Sequence, residues 1–367
     1  MNNTTAAIRE TAKPSNASVQ TFLFNGTDNP LPLLAEPVLG ESAMVPSLTR
    51  WIQENHAFLN SQLMKHGAIL FRNFNIPTAG DFEAVAKAID PDLKNNYLGT
   101  SPRNRRTDYV FSASELPNYY PIPQHCEMSF MDQPPRHLFF YCAVAPEKGG
   151  ETPLVDFRKV YQQLDPEIRE EFMTKGIRNI RNYDGPNTRS KLDIWKLKRW
   201  DQMFLTTDKK EVEKICQEHH MEYHWKPNDR LALINEQEAI RKHPDTGEPV
   251  WFNHLQVFHV DAAHLEYRKI AQRQKTLQSH TLRHALALMT FVKKLTNKTE
   301  NLAMHCTFRD GSKIPAAYVR HLEEVIWHNM VFIQWQQGDV IAIDNLSTSH
   351  GRMPYKGPRD IMVCWSA

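Results

Sequence analysis

Apolar, strand-like runs near both ends of the chain are the feature that most limits its fold. They lie at residues 68–74, 137–144, 331–335, 340–343 and 361–365. Short runs rich in β-branched and aromatic residues are typical of buried strands. Between them, residues 262–295 and 315–327 have the apolar spacing of helices. The pattern predicts a β-rich domain with helices inserted between its strands.

The chain of 367 residues shows no internal repeat and no change of composition that would mark a domain boundary. Residues 1–20 are rich in Asn, Thr, Ala and Ser, a composition that predicts a flexible N-terminal arm. We predict that residues 21–367 form a single domain of the α+β class with a mainly β core. A large helical insertion is expected at about residues 155–330, and further helices are expected to flank the core.

The charge balance and the cysteine content argue against several classes of protein. The 44 basic and 42 acidic residues give a formal net charge of +2, which does not favour nucleic acid as a partner. No apolar run is long enough to cross a membrane, and residues 1–20 lack the apolar segment of a secretory signal. The five cysteines form no CxxC pair, so we expect reduced thiols and a cytoplasmic location.

Three residues have the chemistry of an iron site. His125 and Glu127 are two apart, and residues i and i+2 of an extended chain point to the same side. Cys126 would then face away. A second histidine, His350, lies far downstream. Two histidines and one carboxylate are the ligand set of non-haem Fe(II) oxygenases, so convergence of the three would predict an enzyme that activates O2.

Other interpretations of these residue types remain open. A separate zinc site would use His220 and His224, which are four residues apart, although no His-Glu-x-x-His order is present. A metal-dependent hydrolase would bind zinc with the same three residues and would need a general base near a metal-bound water. A non-catalytic binding protein would have lost one of the site residues.

Eight segments, taken in order, resemble the taurine dioxygenase family of Fe(II)- and 2-oxoglutarate-dependent oxygenases, in its clavaminate synthase-like and SyrP-like branch. The resemblance covers roughly residues 65–365. The segments are residues 123–130, 139–142, 146–153, 243–248, 250–253, 335–339, 344–345 and 350–359.

The resemblance implies a double-stranded β-helix (jelly roll) as the core. It places His125, Glu127 and His350 at the positions of the iron ligands. Arg359 falls on the arginine that pairs with the distal carboxylate of 2-oxoglutarate, and a guanidinium fork suits a carboxylate. Thr152 falls on the threonine that hydrogen-bonds the same cosubstrate. The expected cofactors are therefore Fe(II), 2-oxoglutarate and O2.

The resemblance also implies a reaction. We expect hydroxylation of an unactivated C–H bond, or desaturation or ring formation by the same oxidant. Glu127 argues against halogenation, because the halogenases of this superfamily replace that carboxylate with Gly or Ala. Val363 stands where taurine dioxygenase has a second arginine, which argues against a taurine-like sulfonate.

The SyrP-like branch implies an amino acid or an aminoacyl group as substrate, either free or tethered to a carrier protein, in specialised metabolism. A free amino acid needs a cation for its carboxylate. The candidate substrate contacts are Arg103, Arg105, Asn253 and Arg309. The oligomeric state and the carbon that is oxidised are left open by the sequence.

Overall fold

The computed structural model describes residues 18–27, 29–95, 103–188, 199–296 and 301–367. The strands in these residues are β1 (Val19–Leu23), β2 (Leu33–Pro37), β3 (Ala68–Phe71), β4 (Leu93–Lys94), β5 (Phe111–Ser112), β6 (Ile122–His125), β7 (His137–Val144), β8 (Lys148–Gly149), β9 (Thr152–Asp156), β10 (Ile177–Tyr183), β11 (Glu222–Lys226), β12 (Arg230–Gln237), β13 (Ile240–Lys242), β14 (Pro249–Trp251), β15 (Met304–Phe308), β16 (Val331–Ile333), β17 (Val340–Asp344), β18 (Thr348–Arg352), β19 (Tyr355–Lys356) and β20 (Asp360–Ser366).

The helices in the same residues are α1 (Val45–Glu54), α2 (His56–His66), α3 (Ala79–Ile89), α4 (Phe157–Gln163), α5 (Pro166–Lys175), α6 (Trp200–Phe204), α7 (Lys209–Glu218), α8 (Leu255–Phe258), α9 (Ala262–Gln274), α10 (Leu277–Thr296) and α11 (Ala316–His328). In the part of the chain that is described, no helix combines the length and the apolar content that a membrane crossing requires.

The largest sheet joins strands from both ends of the chain, in the order β1-β2-β3-β17-β7-β20-β4, with β5 also paired to β20. The β2–β3 pair is parallel, and the other pairs of this sheet are antiparallel. Strand β7 has the bounds predicted from its apolar run, and β17 and β20 extend their predicted runs by one or two residues. The early and late apolar runs therefore pair with each other.

A smaller antiparallel sheet has the order β16-β9-β18-β6. One buried cluster contains side chains of both sheets. Leu70, Phe140 and Ile341 come from the larger sheet, whereas Leu154 and Ile333 come from the smaller one. The two sheets therefore share a core, and the smaller sheet contains the strands that position the candidate site.

The segment between β9 and β16 contains the expected helices, together with strands, which the sequence also indicates for about residues 177–258. It contains α4 to α11, the two-stranded sheet β13-β14 and a four-stranded sheet of order β11-β12-β10-β15. The insertion is therefore a mixture of helices and strands and is not purely helical. Its aromatic core includes Phe172, whose ring centroid lies 5.0 Å from that of Trp251 and 5.4 Å from that of Phe308. The same core continues to Cys126 and Met128, beside the candidate site.

Most of the predicted N-terminal arm, residues 1–17, lies outside the described residues. Val19 and Gln20 belong to β1, where they pair with Pro37 and Glu36 of β2. The last two residues of the predicted arm, Val19 and Gln20, are therefore part of the larger sheet.

Candidate metal centre

The two histidines of the candidate site face each other across neighbouring strands. His125 ends β6 and His350 lies on β18, and the two are direct partners in the antiparallel register. Their ring centroids are 4.4 Å apart. The register shifts immediately after His350, at Gly351. A Cβ at Gly351 would lie 2.6 Å from the carbonyl oxygen of Ile122, so only glycine permits this close approach of the strands.

The carboxylate of Glu127 completes the cluster. Its Oε2 atom lies 3.8 Å from Nε2 of His350 and 4.0 Å from Nε2 of His125. One donor atom from each residue falls within 4.8 Å of the other two. Among the described residues, this is the one group of three or more His, Cys, Asp or Glu side chains with such an arrangement. His220 and His224 do not form a second one: they contact Asp132 and Glu222, respectively.

Glu127 reaches the cluster from a turn and not from the predicted extended chain. Strand β6 ends at His125, and Met128 has a positive φ of 52°. The side chain of Asn345 holds this turn: its Oδ1 accepts the backbone N–H of Glu127 at 2.6 Å. Its Nδ2 donates to the carbonyl oxygens of Glu127 and Pro135, at 3.1 and 2.7 Å. The amide therefore fixes the backbone from which the carboxylate projects.

Cys126, between the two, lies in the hydrophobic core of the insertion and is fully buried. Burial raises the pKa of its thiol well above the usual value, so the thiolate form is disfavoured. The prediction that Cys126 faces away from the histidine and the carboxylate agrees with this position.

The donor set suits a divalent metal ion. Nδ1 of His125 lies 2.9 Å from the carbonyl oxygen of Pro123, and because a carbonyl can only accept, Nδ1 carries the proton. Its Nε2 lone pair is then directed to the cluster, as in metal-binding histidines. Burial lowers the pKa of His350 well below its ordinary value, which keeps that imidazole neutral. Neutral imidazoles and a carboxylate are the forms that coordinate metals.

Arg103 is the one predicted substrate contact that the structure brings to this cluster. Its NH2 group donates to Oε2 of Glu127 at 2.8 Å, and both side chains are only 6% exposed. The guanidinium carbon lies 5.6 Å from the ring centroid of Trp365. A buried cation therefore lies directly beside the carboxylate of the candidate metal centre.

The other three predicted substrate contacts make local contacts elsewhere. Arg105 is exposed and bonds the carbonyl oxygens of Thr107 and Asp108 in its own turn. The buried Asn253 is a structural residue, since its amide bonds the backbone of Ala239 and Leu255. Arg309 is paired with Glu238 at 2.7 Å. The structure therefore does not bring Arg105, Asn253 or Arg309 to the cluster.

Arg359 and Thr152 line one cavity together with His125, Glu127 and His350. Nε of Arg359 donates to the carbonyl oxygen of Gly150 at 3.2 Å. Burial, with repulsion from Arg352, lowers the pKa of Arg359 to about 10, so its guanidinium is still cationic at neutral pH.

The hydroxyl of Thr152 in the same cavity is oriented by Trp335. Oγ1 of Thr152 accepts the indole N–H of Trp335 at 3.0 Å. Because that bond uses a lone pair, the hydroxyl proton of Thr152 is left to donate to an anion.

Arg352 is a residue of this cavity that the sequence analysis missed. Its buried guanidinium donates to three carbonyl oxygens, those of Leu116, Pro117 and Tyr120, at 3.1, 2.8 and 2.6 Å. It therefore ties the segment before β6 to the strand that carries His350. The sequence contained a signal for this residue. Arg352 lies two residues after His350 in a strand, and residues two apart in a strand lie on one face.

Comparisons with known proteins show the family to which the chain belongs. The model of the family described as taurine catabolism dioxygenase TauD, TfdA family, matches residues 29–365. The dapdiamide synthesis protein DdaC of Enterobacter agglomerans is 30% identical over 309 residues, which are 84% of each chain. A clavaminate synthase-like protein of Arabidopsis thaliana is 28% identical over 326 residues, 87% of each chain.

Among solved structures, the chain is similar to PvcB, an Fe, alpha-ketoglutarate dependent oxygenase from an isonitrile synthetic pathway. The TM-score is 0.51 at 14% identity, and the similarity covers 97% of this chain and 94% of PvcB. A sequence identity of 14% shows only that this chain and PvcB share a fold. The match to the family model covers almost the whole chain and agrees with the resemblance inferred from the sequence. The chain belongs to the TauD/TfdA family and is a dioxygenase that depends on Fe(II) and 2-oxoglutarate and uses O2.

Proposed function

We propose that the enzyme hydroxylates an unactivated C–H bond of an amino acid or of an aminoacyl group, in the synthesis of a specialised metabolite. The observation that carries the proposal is the convergence of His125, Glu127 and His350 on one point. The relatives support a biosynthetic role, since DdaC serves dapdiamide synthesis and PvcB an isonitrile synthetic pathway. The amino-acid class rests on the resemblance to the SyrP-like branch.

In this proposal His125, Glu127 and His350 hold Fe(II) by two imidazole nitrogens and one carboxylate oxygen, which leaves the other metal positions open. Asn345 keeps the carboxylate in place through the backbone of Glu127. When bound, the iron and 2-oxoglutarate supply the oxidising power that O2 chemistry at a C–H bond requires. The retained carboxylate favours hydroxylation over halogenation.

Arg359 and Thr152 bind 2-oxoglutarate in this proposal. The guanidinium of Arg359 pairs with the distal carboxylate, and its buried position strengthens that attraction by excluding water. The hydroxyl of Thr152 donates to the same cosubstrate while Trp335 fixes its orientation. Both residues orient the cosubstrate beside the metal.

The fold proposal is that the two sheets form a double-stranded β-helix, or jelly roll. Their shared core and the similarity to PvcB support it. We also propose that residues 21–367 act as one domain, with the insertion at about residues 155–330. The five cysteines are buried and unpaired, which supports a reducing, cytoplasmic location.

Succinate formation tests the proposed function. The enzyme is incubated with Fe(II), ascorbate and 2-oxoglutarate, together with free amino acids or carrier-bound aminoacyl thioesters, and product masses are recorded. Hydroxylation adds one oxygen atom to the substrate, whereas desaturation or cyclisation, the alternative, removes two hydrogen atoms.

His350→Ala abolishes succinate formation in this proposal, whereas the exposed His284 on α10 can be changed to alanine without loss. If no condition gives succinate above background and His350→Ala changes nothing, the site is not catalytic, and the chain is a binding protein with the same fold.

A further inference from the structure

A second cavity, of about 610 Å³, lies beside the candidate metal centre. Two of its lining residues connect it to Glu127. Met128 follows Glu127 directly in the chain, and Trp365 packs against Arg103, the residue that bonds the Glu127 carboxylate. Arg103 and Glu127 both line the cavity of the candidate metal centre, so the walls of the two cavities adjoin where Trp365 packs against Arg103.

The walls of this cavity combine apolar surface with positive charge. Its apolar lining residues include Met128, Met131, Pro134, Pro135, Pro244, Leu346 and Trp365. The charged side chains that line it are Lys94, Arg136, Arg241 and Lys242. No Asp or Glu side chain is among the described residues that line the cavity. Such a lining suits a small molecule that has both an apolar part and a negative charge.

Arg241 differs from two of the other cations because no acidic side chain among the described residues lies within ion-pair distance of it, although Asp132 attracts it from further away. Arg136 is paired with Asp245, and Lys94 with Asp92. No hydrogen bond or ion pair within the described residues reaches the guanidinium of Arg241. Its carbon lies 4.9 Å from the ring centroid of Phe252.

The guanidinium of Arg241 lines the cavity and is partly removed from water, an environment that favours a bonded anion. Burial lowers its pKa, and attraction from Asp132 offsets this only in part. Asp132 is itself exposed and lies 3.6 Å from His220. A half-buried guanidinium without a bonded anion is unfavourable, and a carboxylate that reached it would gain a charge-assisted pair of hydrogen bonds.

The backbone that carries Arg241 is held in place by neighbouring segments. It lies in β13, opposite Val250 of β14. Two residues later, Nε2 of His243 lies 3.1 Å from the carboxylate of Asp344, the residue before Asn345. The segment that carries Arg241 is therefore linked to the segment that holds the turn of Glu127.

We propose that this cavity binds the substrate, and that the substrate bears a free carboxylate which pairs with Arg241 while its apolar part packs against Met128 and Met131. The inference rests on the proposed function and makes it more specific. An apolar aminoacyl group tethered to a carrier as a thioester has no free carboxylate, so the proposal selects the free amino acid or a similar free acid.

The test compares free acids with their neutral analogues. Substrate-stimulated succinate formation is measured with a panel of apolar α-amino acids, with the matching carboxamides and with carrier-bound aminoacyl thioesters. We expect stimulation by one or more free acids, and much weaker stimulation by the matching amide. Arg241→Gln raises the KM for the effective acid by about 10- to 100-fold, as expected for loss of a charge-assisted contact, and Arg241→Lys raises it less.

A control and a second measurement separate this inference from the proposed function. Arg320→Gln, at an exposed position on α11, leaves the KM for the acid unchanged. Substrate-independent turnover of 2-oxoglutarate by the wild-type enzyme, and its anaerobic binding of Fe(II) and 2-oxoglutarate, test the proposed function without involving Arg241, which does not line the cosubstrate cavity.

Three results would overturn the carboxylate assignment: equal stimulation by acid and amide, an unchanged KM in Arg241→Gln, or stimulation by thioesters alone. A wild-type enzyme that turns over 2-oxoglutarate but responds to no free acid also rejects it. Absence of any 2-oxoglutarate turnover in the wild type rejects the proposed function instead.

Discussion

Arg103 donates a hydrogen bond of 2.8 Å to Oε2 of Glu127, the same oxygen that faces both histidines of the candidate metal centre. The guanidinium therefore compensates the charge of a buried carboxylate at the point where a metal ion would also do so. Removal of one partner from a buried ion pair costs about 3–5 kcal/mol, because the other charge stays buried.

We predict that Arg103→Gln lowers the melting temperature of the metal-free protein and that a divalent ion restores much of the loss. The ion replaces the missing positive charge beside Glu127. Thermal unfolding with and without Mn(II) checks this. The rise in melting temperature on adding metal is larger in Arg103→Gln than in the wild type. An equal rise in both proteins would show that Arg103 and the metal do not share the carboxylate.

Asn345→Ala is predicted to weaken metal binding about 10- to 100-fold, the usual effect of losing a residue that orients a ligand. The alanine removes three hydrogen bonds that fix the turn of Glu127. Asn253→Ala is the matched control, because Asn253 is also buried and bonds the backbone twice but does not touch the cluster. Calorimetric titration with Mn(II) distinguishes the two, and similar affinities in both variants would contradict the prediction.

Arg359→Gln is predicted to raise the KM for 2-oxoglutarate by about 10- to 100-fold, the effect of losing a charge-assisted hydrogen-bonded pair. Metal affinity is expected to stay within about threefold of the wild type, since Arg359 makes no contact with the three ligands that the structure records. Arg309→Gln serves as the comparison, because Arg309 pairs with Glu238 away from the cavity. Steady-state kinetics over 2-oxoglutarate concentration provide the measurement, and an unchanged KM would place the cosubstrate elsewhere.

A fourth prediction concerns stability in acid. Burial by itself raises the pKa of Asp90, but hydrogen bonds from His137 and Ser366 outweigh it and lower the pKa to about 2. A carboxylate with a depressed pKa stabilises the fold above the pKa of the unfolded chain, and this contribution is lost as the pH falls through the folded value. The free energy of unfolding of the wild type should therefore exceed that of Asp90→Asn at pH 5, and the difference should shrink between pH 4 and pH 2. Urea unfolding at a series of pH values measures it; a difference that is constant with pH would mean that the Asp90 charge does not contribute.

The sequence predicted a segment correctly where its buried residues are apolar or where its residue types have a specific chemistry. The apolar run of β7 predicted its strand, and the residues of the metal cluster were identified by ligand chemistry together with family resemblance. Strands were expected from about residue 177 to residue 258, but the bounds of β10 were not predicted, because its buried residues include Asn179, Arg181 and Asn182 and apolar spacing cannot delimit such a strand. Arg181 is accommodated there by a 2.5 Å hydrogen bond to Asn235.

The sequence pattern could not distinguish the buried Arg103 from the exposed Arg105. The two arginines are two residues apart in an irregular segment, and they have the same residue type and the same expected role. One is buried against Glu127 and the other is exposed in a local turn. Their different positions depend on tertiary contacts of the loop, which no local periodicity records.

The pairing of His125 with His350 across β6 and β18 has a consequence for the biogenesis of the enzyme. During synthesis, His125 and Glu127 leave the ribosome long before His350 does. A nascent chain therefore has only part of the donor set, and two donors hold iron weakly. The full set of three donors forms only after strand β18 has paired with β6. The order of the residues in the chain thus makes a complete metal site depend on a strand that is synthesised long after the first two ligands.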